Sequence, residues 1–245
     1  ERRNFWLEFD IRNHFKLGPV KYHNVVASIK GTKYPDEYVI ISGHLDSYDV
    51  ATGGIDCGTG IGPMMEAARM IALSGAKPKR TILFVAFAGE EFGLLGAKAY
   101  VKTHAKELGK IANLFNRDGG PTPPVGISVP QAMYDDFVEV CKPVKEIRAD
   151  YPFEVKVAKP FKRPTQSGGT DASVFAVEGV PTFGFNTQDI KGYNFSYGEI
   201  WHTERDLYTK NIPEYQEHAA TVTAVVALGI ANLSKQLSRE GMHKK

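Results

Sequence analysis

Residues 81–88 read TILFVAFA, eight positions without a charge. An apolar run of strand length is expected of a central strand covered on both faces, and such a strand needs a layer of structure above it and another below. Two more short apolar runs share this character, Tyr38–Ser42 (YVIIS) and Ile111–Arg117 (IANLFNR). Each of the three gives way to acidic or imidazole side chains: His44 and Asp46 follow Gly43, Glu90 and Glu91 follow Gly89, and Asp118 follows Arg117. Open α/β sheets bind their ligands in crevices at the carboxyl ends of strands, so these residues mark where a site is expected.

The rest of the chain supplies the covering layers. Thr59–Ser74 places Ile61, Met64, Met65, Ala68 and Ile71 at helical spacing with Gly75 at the expected C-cap. Further helices are expected over Phe92–His104, Gln131–Lys142, Ala172–Glu178 (Thr170 or Asp171 as N-cap) and Pro213–Leu237. Strands are expected over Asn4–Asp10 and Tyr22–Lys30, joined at the Leu17-Gly18-Pro19 turn, over Val125–Val129, around Phe153, Val155 and Val157, and over Val180–Phe185. Residues 31–36 read as a turn, and the basic loop 159–164 as a solvated rim. His14 and His23 read as surface or strand-edge side chains, and His104 and His218 as solvated helix positions. The loop Asn186–Ile200, rich in Tyr193, Phe195 and Tyr197, has the length of a lid or binding rim.

A chain of 245 residues can bury one large core as a single domain. Its net charge of +2, with no basic cluster beyond the short His243-Lys244-Lys245 end, argues against a nucleic-acid binder. No apolar run reaches the roughly 18 to 20 residues of a membrane span. The chain starts at Glu1 and not Met, which reads as a mature or trimmed fragment. Cys57 and Cys141 do not make a disulfide framework, and Cys141 reads as a small buried hydrophobe.

The acidic strand ends have a definite chemistry available. Zinc takes imidazole nitrogen and carboxylate oxygen, so His44 and Asp56, twelve residues apart, are plausible ligands and Asp46 a carboxylate to orient the imidazole. Glu90 and Glu91 are adjacent, so they point different ways and can take different tasks, one on a metal and one accepting a proton from water. A solvated acidic turn that caps the following helix is the other reading, and position alone leaves both open.

The ordered set His44, Asp56, Glu90-Glu91, Asp118 and His202, carried on GHLDS, DCGTG, FAGEEFGLLG, NRDGG, GTDASVFAVEGVPTFGF and WHTERD, resembles the co-catalytic di-zinc exopeptidases (clan MH metallopeptidases). That family includes bacterial secreted aminopeptidases and carboxypeptidase Q. The similarity runs from about Tyr22 to Leu237. It implies a three-layer α/β/α sandwich around a mixed, mostly parallel central sheet. It also implies two zinc ions per chain, with Asp56 bridging, His44 and Asp118 completing one site, and Glu91 and His202 the other. In this pattern Glu90 is the general base and Asp46 orients His44. Residues 1–245 would be a single metallopeptidase catalytic domain, lacking an N-terminal segment and a protease-associated insert. The implied activity is hydrolysis of peptide bonds at free N-termini or in dipeptides, in a secreted or periplasmic protein whose partners are peptides and not nucleic acid.

Two positions depart from the family pattern. Cys57 follows the bridging Asp where relatives more often carry a polar residue, and Trp201 stands before the last His where several relatives have an oxyanion-stabilising Tyr. Tyr193 and Tyr197 are therefore candidate substrate-binding residues beside Trp201. The alternatives are a glutaminyl-cyclase-like transferase with one zinc and a receptor-type binding domain of the same fold with none; retention of every ligand argues against both.

Overall fold

A computed structural model describes residues 5–14, 16 and 18–243. The first sheet holds β1 (Val25–Ile29), β2 (Tyr34–His44), β3 (Arg80–Phe87) and β4 (Ile111–Asn116) in the order β1-β3-β2-β4. β2 runs parallel to both β3 and β4, and β1 pairs antiparallel with β3 at the edge. A second sheet has β5 (Pro124–Val129) between β6 (Glu154–Val157), which is parallel to it, and β7 (Phe185–Thr187), which is antiparallel.

The apolar run 81–88 does what its composition requires. Along β3, Ile82, Phe84 and Ala86 enter one core while Val85 and Phe87 enter the other. β2 divides likewise, with Val39 and Ile41 on the first face and Ile40 on the second. The first core is completed by α1 (Gly58–Leu73), α3 (Tyr134–Ile147) and α5 (Pro213–Ala231) through Met64, Ile71, Phe137, Val144, Val226 and Ile230. The second is completed by α2 (Leu95–Thr103) and α4 (Ala172–Val177) through Ala97, Tyr100, Val101, Val174 and Phe175. Each fully buried aliphatic or aromatic side chain contributes about 1.5–3 kcal/mol, so β3 is stabilised from both sides. Helices above and below a mixed sheet make the expected α/β/α sandwich. Because β3, β2 and β4 are adjacent and parallel, their carboxyl ends share one edge.

Several expected elements differ. Phe5–Asp10 is irregular and exposed: no strand of the described residues pairs with it, and its apolar side chains stay out of the core. Asn4 and Leu17 of the expected strand and turn lie outside the described residues, as do Lys244 and Lys245. β2 begins at Tyr34, inside the expected turn, with a register shift between Tyr34 and Tyr38 that accommodates Pro35. α3 passes the expected stop at Lys142 and carries Pro143 inside it, because Val144 beyond it is buried against the core. Residues 180–184 are not a strand: Pro181 has no N–H to donate, and the Asn113 amide bonds Phe183 in place of a ladder. α5 ends at Ala231, although Leu237 still packs on the core.

His218 is the clearest correction among the histidines. It is fully buried, stacks on Tyr151 at 4.0 Å, and its Nε2 donates to the Pro124 carbonyl at 2.8 Å. Burial pushes its pKa down to about 4, and among the described residues Nδ1 has no partner to accept from a second proton. The folded state therefore resists protonation while the unfolded chain accepts it below about pH 6.5. Stability is lost as pH falls from about 6.5 towards 4, by on the order of 3 kcal/mol. His218→Gln keeps a donor for Pro124 and removes the titration. In urea unfolding, the stability difference between wild type and this variant should shift by that amount across the window; a pH-independent difference would contradict the assignment.

Candidate active site

His44, Asp46, Glu90, Glu91 and Asp118 leave the carboxyl ends of β2, β3 and β4, and α1 begins just after Asp56, which puts all of them in one place. His44 is the last residue of β2, one beyond the Gly43 where the strand was expected to stop, and only 2 % of it is exposed. Its Nδ1 donates to the Asp46 carbonyl at 3.0 Å, which turns Nε2 into the cleft. There Nε2 lies 2.9 Å from Asp56 Oδ1 and 3.3 Å from Asp118 Oδ1. On the other side, His202 Nε2 is 3.0 Å from Glu91 Oε2 and 4.0 Å from Asp56 Oδ2. One Asp56 oxygen thus faces His44 and Asp118, and the other faces His202 and Glu91. The peptide bond between Asp56 and Cys57 is cis.

Asp46 differs from expectation. It steers His44 through its backbone carbonyl, while the carboxylate stands 3.8 Å from Nδ1. The carboxylate instead accepts the backbone N–H groups of Glu90 (3.1 Å) and Glu91 (3.2 Å). A carboxylate with two N–H donors in front of it is better satisfied there than by a second claim on one imidazole proton. Glu90 and Glu91 in turn do not cap a helix, because α2 starts only at Leu95, after a left-handed Leu94.

The electrostatics follow from crowding acids in a recess. Burial first, then the charge on Asp118, pushes the Glu90 pKa up to about 8. Burial, then the charge on Asp56, raises that of Glu91. Burial works against a charged His44, but the carboxylates of Asp118 and Asp56 outweigh it and raise the imidazole pKa. Burial likewise opposes ionisation of Asp56, which the His44 hydrogen bond overcomes, lowering its pKa. Glu91 Oε1 is buried without a hydrogen-bond partner among the described residues. A buried orphan oxygen among converging carboxylates and imidazoles is a donor set that fits dications. Among the described residues, His44, Asp56 and Glu91 offer one such group, and His44, Cys57 and Asp118 another, with ligand atoms all within 4.8 Å of one another in each.

These side chains open into a cleft of about 550 Å³, walled by Tyr197, Trp201, Lys98 and the 167–170 loop. Tyr197 and Trp201 are where a substrate rim was expected; burial and the charge on Asp56 raise the Tyr197 pKa. Tyr193 is not. Its hydroxyl bonds Glu214, and it lines a separate hollow with Phe195 and Ile212, because residues 193–199 turn between the two tyrosines.

Three residues escaped sequence reasoning. Asp206 is buried and its carboxylate accepts the backbone N–H of both Ile55 (2.7 Å) and Asp56 (3.1 Å), fixing the loop that presents Asp56. Tyr48 stacks on His202 with ring centroids 4.1 Å apart and supports a left-handed backbone there, φ 57°. Asp171 makes no capping bond: it is fully buried, both oxygens lack partners among the described residues, and burial together with Asp118 and Asp46 pushes its pKa up to about 7. The only sequence signal was an acid near each ligand motif, and that does not say what the acid holds.

The profile of Peptidase family M28 matches residues 24–226. Carboxypeptidase Q of Rattus norvegicus is 32 % identical over 231 residues, covering 92 % of this chain and 46 % of the relative. The crystal structure of the Peptidase M28 precursor from Shewanella amazonensis SB2B superposes with a TM-score of 0.72 at 34 % identity, covering 88 % of this chain and 46 % of that one. The zinc aminopeptidase BSAP from Bacillus subtilis shares the fold, with a TM-score of 0.65 at 21 % identity over 90 % of this chain and 53 % of that one. The chain spans about half the length of the curated relatives it matches.

Proposed function

The chain belongs to peptidase family M28, and on that premise we propose that it is a zinc-dependent exopeptidase that releases residues from free peptide N-termini or splits dipeptides. The observation carrying this reading is the Asp56 carboxylate, with one oxygen towards His44 and Asp118 and the other towards His202 and Glu91. Two zinc ions would be held by those five residues, Asp56 bridging.

Bound there, the ions supply Lewis-acid chemistry, polarising the scissile carbonyl and bringing the pKa of a water to about 7. Glu90 takes the proton from the attacking water and returns it to the leaving amine. Asp46 fixes the turn that carries Glu90 and Glu91 by accepting both backbone N–H groups. Tyr197 and Trp201 wall the substrate space and offer a hydroxyl and an indole donor beside the carbonyl. Among the described residues no helix is long and apolar enough to cross a membrane, and the reading includes peptide substrates met outside the cytoplasm.

Metal content separates this reading from its neighbours. Elemental analysis of zinc-saturated, dialysed protein should return two ions per chain. One ion would favour the cyclase-like transferase, and none the receptor-type domain.

A further inference from the structure

We infer that Cys57 is a metal ligand: its sulfur joins His44 and Asp118 on one ion, giving that half of the centre mixed nitrogen, sulfur and oxygen ligation and a preference for thiophilic dications. This rests on the proposed metal reading of the cleft. The cysteine follows Asp56 directly and is 2 % exposed, as is His44. Its Sγ lies within 4.8 Å of the donor atoms of both His44 and Asp118. An ion bonded at about 2.0–2.3 Å holds donors roughly 3.3–3.8 Å apart, so closing the three around it changes their separations by at most about 1–1.5 Å.

The surroundings hold the sulfur in place. A Cβ on Gly43 would stand 3.1 Å from Sγ and one on Gly60 2.5 Å, so both positions are open where the thiol needs room. The thiol donates its proton to the Arg117 carbonyl at 3.0 Å, which fixes its direction. The Arg117 guanidinium bonds the backbone carbonyls of Thr59, Gly120 and Thr122, which holds the segment whose carbonyl accepts from the thiol. On binding, the S–H bond breaks, a sulfur–metal bond forms, and the proton passes to solvent. Thiolate ligation favours soft ions over hard ones of equal charge.

The test uses cobalt(II) and cadmium(II) with the full chain. Titration of either ion into metal-free wild type should produce a near-ultraviolet sulfur-to-metal charge-transfer band that saturates with the ion count. Cys57→Ser, which keeps a hydrogen-bond donor for Arg117, should bind the same number of ions without the band. It should lose about 10- to 100-fold in preference for cadmium over zinc. Cys141→Ala should keep the band, and this arm does not depend on the Cys57 variant folding. Full ion binding by wild type without a band would overturn the ligand assignment and leave the metal reading standing. A band that persists in Cys57→Ser would also overturn it. No ion binding at all would overturn both.

Discussion

Glu90→Gln yields a folded, metal-loaded protein whose turnover is lower by a factor of about 10²–10⁴. Glutamine occupies the same volume and keeps the backbone N–H that Asp46 accepts at 3.1 Å, so the turn after β3 stays in place. What it loses is the ability to take a proton. Because Glu90 lies outside the two ligand pairs around Asp56, metal content should not fall. Glu91→Gln is the internal control. Its Oε2 sits 3.0 Å from His202 Nε2, so weakening that donor should lower metal affinity together with rate. Elemental analysis beside steady-state rates reads both effects. A Glu90→Gln protein that loses zinc while Glu91→Gln keeps it would mean that base and ligand are exchanged.

Asp206→Ala destabilises the protein by about 2–6 kcal/mol. The variant leaves the Ile55 and Asp56 N–H groups without acceptors in a buried place, and each such orphan costs about 1–3 kcal/mol. A domain of ordinary stability has about 5–15 kcal/mol in total, so the loss should be plain in a urea midpoint. The same change frees the loop carrying Asp56 and should lower metal affinity about 10- to 100-fold, as expected for a residue that holds a ligand without touching the ion. Asp206→Asn, with one remaining acceptor oxygen, should fall between. If Asp206→Ala unfolds within 1 kcal/mol of wild type and binds metal as tightly, the carboxylate is not what positions Asp56.

These two residues differ in how far they could be read from the chain. The place of Glu90 at a strand end was legible because its signal is local, an apolar run of strand length, a glycine, then adjacent acids, whereas its role as base came only from the resemblance. The same holds for His44, Asp118 and the β2, β3 and β4 strands that carry them, where composition of a few consecutive residues decides burial. Asp206 acts across 151 positions on Ile55, and no local pattern encodes such a partner. Asp46 was found but its groups were exchanged, since sequence does not say whether carbonyl or carboxylate reaches an imidazole two residues back. Tyr193 and Tyr197 looked equivalent in a loop rich in aromatics, and only the path of the chain sends one to Glu214 and the other to Asp56. His218 misled because helix position was read without knowing that Tyr151 would cover it.

The most direct measurement is mass spectrometry of a mixed peptide pool incubated with the zinc-loaded chain, with and without chelator. The account expects ladders shortened one residue at a time from the N-terminus, or dipeptides split, and no change once zinc is removed. Peptides trimmed only from the C-terminus, or cleavage that survives chelation, would contradict it.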